Sequence, residues 1–326
     1  MIDFRYHVVS LVSVFLALAV GIVLGAGPLN EGISTGITDQ VRQLTTEKNT
    51  LRTERDQALS TVDQQDAWAE AVGPALVARQ LGGRSVAVVE LPGADSSQVD
   101  ATTEELQAAG ATVSSQVTLQ DKWFDSSQTA TADRQKAASS LTGQLTAAPA
   151  TAAGTEDLLA AELSRALVTS ELAQAEGPDD GARTVLTTLS DAGLVDVQGG
   201  TGTAPARATL VVVVGGAGDA DATDAVRRST AAAWTALLRE LDGASAGAVL
   251  AGPPDAAADG GPVAVLRADG DLAADVSSVD DLDSPIGRIN VVLALRQQLT
   301  GGAGQYGTAD SATEVSPPLP AAASAS

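Results

Sequence analysis

The sequence predicts an α/β fold tied to a membrane by one N-terminal helix, with a coiled-coil stalk between the two. Three observations carry this. Residues 8–27 (VVSLVSVFLALAVGIVLGAG) hold no charge and only two hydroxyls, Ser10 and Ser13. Apolar residues from Ile37 onward recur at alternating steps of four and three. Beyond residue 84, short β-branched runs alternate with amphipathic helical stretches, the pattern of a mostly parallel sheet covered by helices.

A charge-free run of about 20 residues at ~1.5 Å each matches the ~30 Å hydrocarbon core of a bilayer. The segment reads as a retained anchor; the alternative is a cleaved export signal. A signal peptide has a basic start, a shorter apolar run and an A-x-A-like site. Here Arg5 is the only fixed positive charge before the run, and Leu24-Gly25-Ala26-Gly27-Pro28 offers no such site. No Lys or Arg follows Arg5 until Arg42, so the positive-inside rule puts residues 1–7 in the cytoplasm and the bulk of the chain outside. Phe4 and Tyr6 fit an interfacial aromatic belt. Gly21 and Gly25 form a GxxxG, a spacing that lets two helix backbones approach closely.

Residues 28–36 read as a Gly/Pro/Ser-containing linker. Residues 37–81 then carry the heptad pattern, with Val41, Leu44, Leu51 and Val62 on its narrow apolar stripe and Lys48, Arg55 and Gln65 interrupting it. The residues between are strongly polar. A stripe this narrow, with no partner nearby in sequence, calls for a second helix, and a parallel homodimer would continue from the GxxxG. Gly73-Pro74 is a point of possible kinking, and Gly82-Gly83 a stop.

Residues 84–307 form the outer domain. Strands are expected over Ser85–Leu91, Ala111–Leu119, Leu194–Val197, Ala208–Val214 and Ala246–Ala251, with a short one over Val263–Leu266. Helices are expected near Val99–Ala109, Thr155–Ser170, Ala182–Ala192, Asp224–Leu241 and from Pro285, where Ser284 is the N-cap. The first strand, helix and strand make a β-α-β unit with parallel neighbours. ATLVVVV, at Ala208–Val214, is apolar on both faces and suits the middle of the sheet. The whole is a sandwich of Rossmann or flavodoxin type. Trp123-Phe124 stand out in a chain only 2% aromatic and are expected to pin residues 121–154 to the domain. Residues 308–326, rich in Ala, Ser and Pro, read as a disordered tail.

The net charge of −22 argues against nucleic acid as a partner. There is no cysteine, the one histidine is His7 and the one methionine is Met1. Thiolate metal sites, Cys–His pairs and Ser–His–Asp triads are therefore excluded from the outer domain, and the chain reads as non-enzymatic with no identifiable cofactor. The loop GGAGDADATDA, Gly215–Ala225, begins like a dinucleotide fingerprint, but Asp221 stands at the third glycine and its aspartates repel a pyrophosphate. It reads as an acidic loop. Asp280, Asp281 and Asp283 are the one candidate cluster for a hard cation; the plainer reading is that they favour the following helix N-terminus.

MIDFRYHVVSLVSVFLALAVGIVLGAGPL at the start and SSVDDLDSPIGRINVVLALRQQLTGGAGQYG, Ser277–Gly307, resemble the corresponding segments of the actinobacterial MctB family, envelope proteins described as copper transporters. The resemblance implies a role in copper transport or homeostasis, with copper as the only metal it brings. It also implies a possible envelope protein partner, since some relatives are described, as SteB, as membrane partners in cell separation. That leaves a second functional class open, a non-enzymatic coiled-coil scaffold in division.

Overall fold

The computed structural model describes residues 4–25, 29–142, 154–175, 179–201 and 206–319. The chain divides into two compact units, Met1–Gln65 and Asp66–Ser326.

The first unit is helical. α1 runs over Phe4–Gly25 and is, among the described residues, the one helix long and apolar enough to cross a membrane. Its Ser13 hydroxyl donates to the Val9 carbonyl, which satisfies it without a partner outside the helix. α2 runs over Leu29–Val77. The linker expected over residues 28–36 is thus helical from Leu29 onward. Isolated Gly32 and Gly36 cost ~1 kcal/mol each, which a long helix absorbs by propagation. The helix also continues through Pro74 and stops at Val77, four residues before the expected end of the stalk. Residues 78–83 form turns, with Arg79 in the left-handed region at φ 61°.

The second unit contains the end of α2 and the α/β domain. Its strands are β1 (Ser85–Glu90), β2 (Thr112–Leu119), β3 (Val195–Val197), β4 (Leu210–Val214), β5 (Ala248–Ala251), β6 (Ser277–Val279) and β7 (Gln305–Tyr306). Its helices are α3 (Ser96–Ala108), α4 (Asp121–Phe124), α5 (Gln128–Leu141), α6 (Thr155–Leu167), α7 (Asp180–Asp191), α8 (Asp224–Ala244), α9 (Pro262–Ala268), α10 (Gly270–Asp275) and α11 (Pro285–Gln298). The sheet order is β3-β2-β1-β4-β5-β6-β7, parallel throughout except for the β2–β3 pair at one edge.

Period-two alternation explains the two cores. Ala87, Val89, Val117, Leu119, Val211, Val213 and Leu250 face a layer built from α5, α6, α7, α8, α9 and α10. Val86, Val88, Leu210, Val212, Val214 and Val249 face α3, α11 and the last turns of α2. All five residues of β4 are buried, so the unbroken LVVVV run serves both faces at once. The expected β-α-β unit is β1-α3-β2, with β1 and β2 parallel neighbours.

Three expectations need correction. Val263–Leu266 is helical, part of α9, because Gly261-Pro262 places a proline at a helix first turn and a four-residue apolar run cannot choose its own period. β6 and β7 were not expected. Ser277 and Ser278 lie fully buried in β6, satisfied by long-range partners: Gln298 donates to Ser277, and Ser278 accepts from Arg267 and donates to Gln305. Finally, residues 308–319 are not a disordered tail. The Thr308 and Ala309 amides donate to Asp280, Glu314 bridges to Tyr306, and Asn290 donates to the Val315 carbonyl. Residues 320–326, like the expected Ala/Thr/Ser-rich stretch at 143–153, lie outside the described residues.

Candidate functional site

The strand order reverses at β1. From there the chain moves one way to β2 and the other way to β4, which leaves a crevice at the carboxyl ends of β1 and β4, where open α/β sheets bind ligands. A cleft of about 430 Å³ lies there. Pro92 and Gly93 after β1, and Ala217, Gly218 and Asp219 after β4, form its walls with Gly260. Phe124 and Trp234 supply its aromatic surface, packed edge-to-face with centroids 6.1 Å apart and planes at 64°. The Trp234 side chain is 8% exposed, and its indole N–H has no partner among the described residues.

Backbone contact, not phosphate, explains the glycines of the acidic loop. A Cβ on Gly216 would collide with the Gly93 carbonyl, and one on Gly218 with the carbonyl of Gly260. The walls of the cleft are therefore held together by main-chain approach. Arg227, on α8, fastens the same loop: it donates to the Ala222 and Ala220 carbonyls at 3.1 Å each and pairs with Asp259 at 3.4 Å. Asp121 and Asp125 line the opposite side. Amide and hydroxyl hydrogen bonds from Ser127 hold the Asp125 carboxyl below its usual range. Arg134, buried beneath, donates to the Lys122 and Asp125 carbonyls and fixes that turn.

The three aspartates before α11 are not brought together on a shared centre. Asp280 is fully buried and pairs with Arg267 at 2.6 Å, while accepting from the amides of residues 308 and 309. Asp281 is 6% exposed, and one of its oxygens has no partner. Burial, reinforced by neighbouring Asp280, pushes it up to about 6. Asp283 is exposed. Among the described residues, no group of three or more His, Asp or Glu side chains converges as a metal site would require. Ser284 caps α11 as expected, accepting from the Gly287 amide at 2.9 Å.

On the helices of the first unit, Gly21 and Gly25 meet no other part of the chain within 4 Å of where a Cβ would sit. Val41, Leu44, Leu51 and Val62 are 56%, 63%, 65% and 49% exposed. Farther along the same register the pattern changes. Ala69 is buried against the second core, and Val72 and Leu76 are half-buried. These last positions of the stripe are covered by the chain's own domain, whereas Val41 to Val62 are not.

The family profile described as "Copper transport outer membrane protein, MctB" matches residues 1–317. The copper transporter MctB of Mycobacterium tuberculosis (strain ATCC 25618 / H37Rv) is 34% identical over 326 residues, covering 97% of this chain and 99% of its own. That of Mycobacterium leprae (strain TN) is 32% identical over 329 residues, covering 98% and 100%. The chain belongs to the MctB family. An MctB match that reaches residue 317 takes in α1, the sheet and the segment that closes over Asp280. Sequence reasoning found the apolar N-terminal helix and the loop after β4. It did not bring Asp121, Phe124 and Trp234 to the cleft; the scarcity of aromatic residues singled out Phe124, and nothing singled out Asp121.

Proposed function

We propose that this chain serves copper transport at the cell envelope as a membrane-anchored subunit that pairs with a second copy of itself. Its near full-length similarity to proteins named copper transporters carries this reading. Copper is the cargo, and the donor set bears on how it is handled. Cu(I) favours thiolates and thioethers, and Cu(II) favours imidazole. Met1 and His7 are the only thioether and imidazole, and there is no cysteine, so the α/β domain has no soft ligand to offer. The domain's contribution is then through assembly, and it acts without enzymatic chemistry or a resident cofactor.

The exposed stripe Val41–Val62 and the GxxxG of α1 support a parallel coiled-coil pair over Ile37–Gln65. A span with no charged face cannot line a polar pore alone, so conduction would require several copies or another protein. The lysine and arginine distribution supports a cytoplasmic N-terminus and a single-pass anchor in the cell membrane. Without its antiparallel edge the sheet runs β2-β1-β4-β5-β6-β7, an order that supports the flavodoxin-like reading. The same exposed stripe also favours a second reading, a scaffold for a partner protein in cell separation.

Deletion of the gene, followed by measurement of cell-associated copper under copper challenge, separates these. The copper reading expects altered copper content, restored by the full chain and not by a Leu44→Asp/Leu51→Asp variant. Unchanged copper with a septation defect would favour the scaffold. Restoration by the double variant would remove pairing from the function.

A further inference from the structure

We infer that the cleft between β1 and β4 binds a small organic ammonium ion bearing apolar groups. The inference does not depend on the copper role. It starts from the composition of the walls: an aromatic pair, Phe124 and Trp234, beside the carboxylates Asp121, Asp125 and Asp219. Aromatic faces and carboxylates together recognise alkylated ammonium ions, because the cation meets the ring quadrupole while its apolar groups lose water.

The competing ligand classes fit less well. An anion would face those three carboxylates, and Arg227, the one cation in the lining, is already engaged by two carbonyls and Asp259. A hard metal ion needs converging carboxylates, and among the described residues no three acidic side chains converge. Asp125 is engaged by Ser127, and Asp219 accepts from the Asp221 amide at 2.9 Å. The Asp121 carbonyl accepts from the Asp125 amide, but its carboxylate has no hydrogen-bond or ion-pair partner among the described residues, so its charge is the one left for a ligand. The cleft is also preformed. Gly216 on Gly93 and Gly218 on Gly260 fix its walls, and Arg134 fixes the turn that carries Asp121 and Phe124. Preorganisation of this kind lets a small ligand bind without first ordering a loop.

The test compares choline with its neutral isostere 3,3-dimethylbutan-1-ol, by ligand-observed NMR titration against the full chain in detergent. Choline is expected to bind about tenfold or more tightly than the alcohol. Asp121→Asn should reduce that ratio toward one while leaving the melting temperature unchanged, since this side chain is exposed. Phe124→Leu should weaken choline by about tenfold while leaving the domain folded, as judged by its melt. Equal binding of the two probes, no choline binding at millimolar concentration, or choline binding insensitive to both substitutions would each overturn the inference.

Discussion

The stripe on α2 and the strand β4 are built from the same aliphatic side chains and meet opposite fates. In β4 every residue from Leu210 to Val214 is buried by its own chain. On α2, Val41, Leu44, Leu51 and Val62 stand about half or more exposed. The α/β domain closes its hydrophobic surface internally, on both faces of the sheet. The N-terminal unit does not: α1 is apolar enough for a bilayer, and the stripe on α2 stays open to solvent among the described residues. Stability of the first is a property of the chain, whereas completion of the second depends on what surrounds it.

The comparison is broken most severely by a charge in the sheet. Val212→Asp puts an unpaired carboxylate into the core against α3 and α11 and should cost about 4 kcal/mol or more, abolishing the cooperative melt of the domain in circular dichroism. Next is the clasp between Arg267 and Asp280, 4% and 0% exposed. Asp280→Ala leaves a buried guanidinium uncompensated and should cost about 3–5 kcal/mol. Hydrogen exchange should then show early loss of protection over residues 305–314. A retained protection pattern there would mean that the segment is held by something other than this pair.

Leu44→Asp/Leu51→Asp sharpens the contrast from the other side. It should weaken self-association by about 100-fold in sedimentation or crosslinking, and leave the domain's melting temperature within a degree or so of wild type. A large fall in that melting temperature would show that the exposed stripe supports the domain after all.

The smallest effect concerns pH. Asp281 titrates at about 6 in the folded chain against an ordinary 3.8, raised first by burial and then by Asp280. Its folded form therefore holds the proton more tightly than the unfolded form. Stability contributed by this site is greatest below about pH 4, falls as pH rises toward 6, and stays low above it. Asp242, also raised to about 6 by burial and by Asp275, acts in the same direction. Asp281→Asn should stabilise the domain by on the order of 1–2 kcal/mol at pH 7 and have little effect at pH 4. A denaturant titration at the two pH values checks this, and an equal effect at both would refute the assignment.

These contrasts also account for what could be read without coordinates. β4 was legible because five consecutive apolar β-formers leave no solvent face, and the start of α11 because Ser284-Pro285 combines a cap with a first-turn proline. β6 was not, since its serines are acceptable in a core only through Arg267, Gln298 and Gln305, which lie far away in sequence. Residues 308–319 look disordered by composition, yet the Thr308 and Ala309 amides are held by one buried carboxylate and those of Thr313 and Glu314 by the Gln305 carbonyl. The cleft was half legible: the loop after β4 was noticed, but its neighbours at Pro92, Asp121 and Trp234 are set by the order of strands, which no local pattern encodes.

The closure of Asp280 by residues 306–311 bears on biogenesis. Tyr306 and Ser311 complete the coordination of Arg267, and Gln305–Tyr306 supplies the outermost strand beside β6. The sheet thus cannot seal that margin until residues 305–311 are available to pack. Closure of that margin waits for residues 305–311, and a product interrupted before residue 305 would leave β6 as an open sheet edge, a template for unwanted pairing.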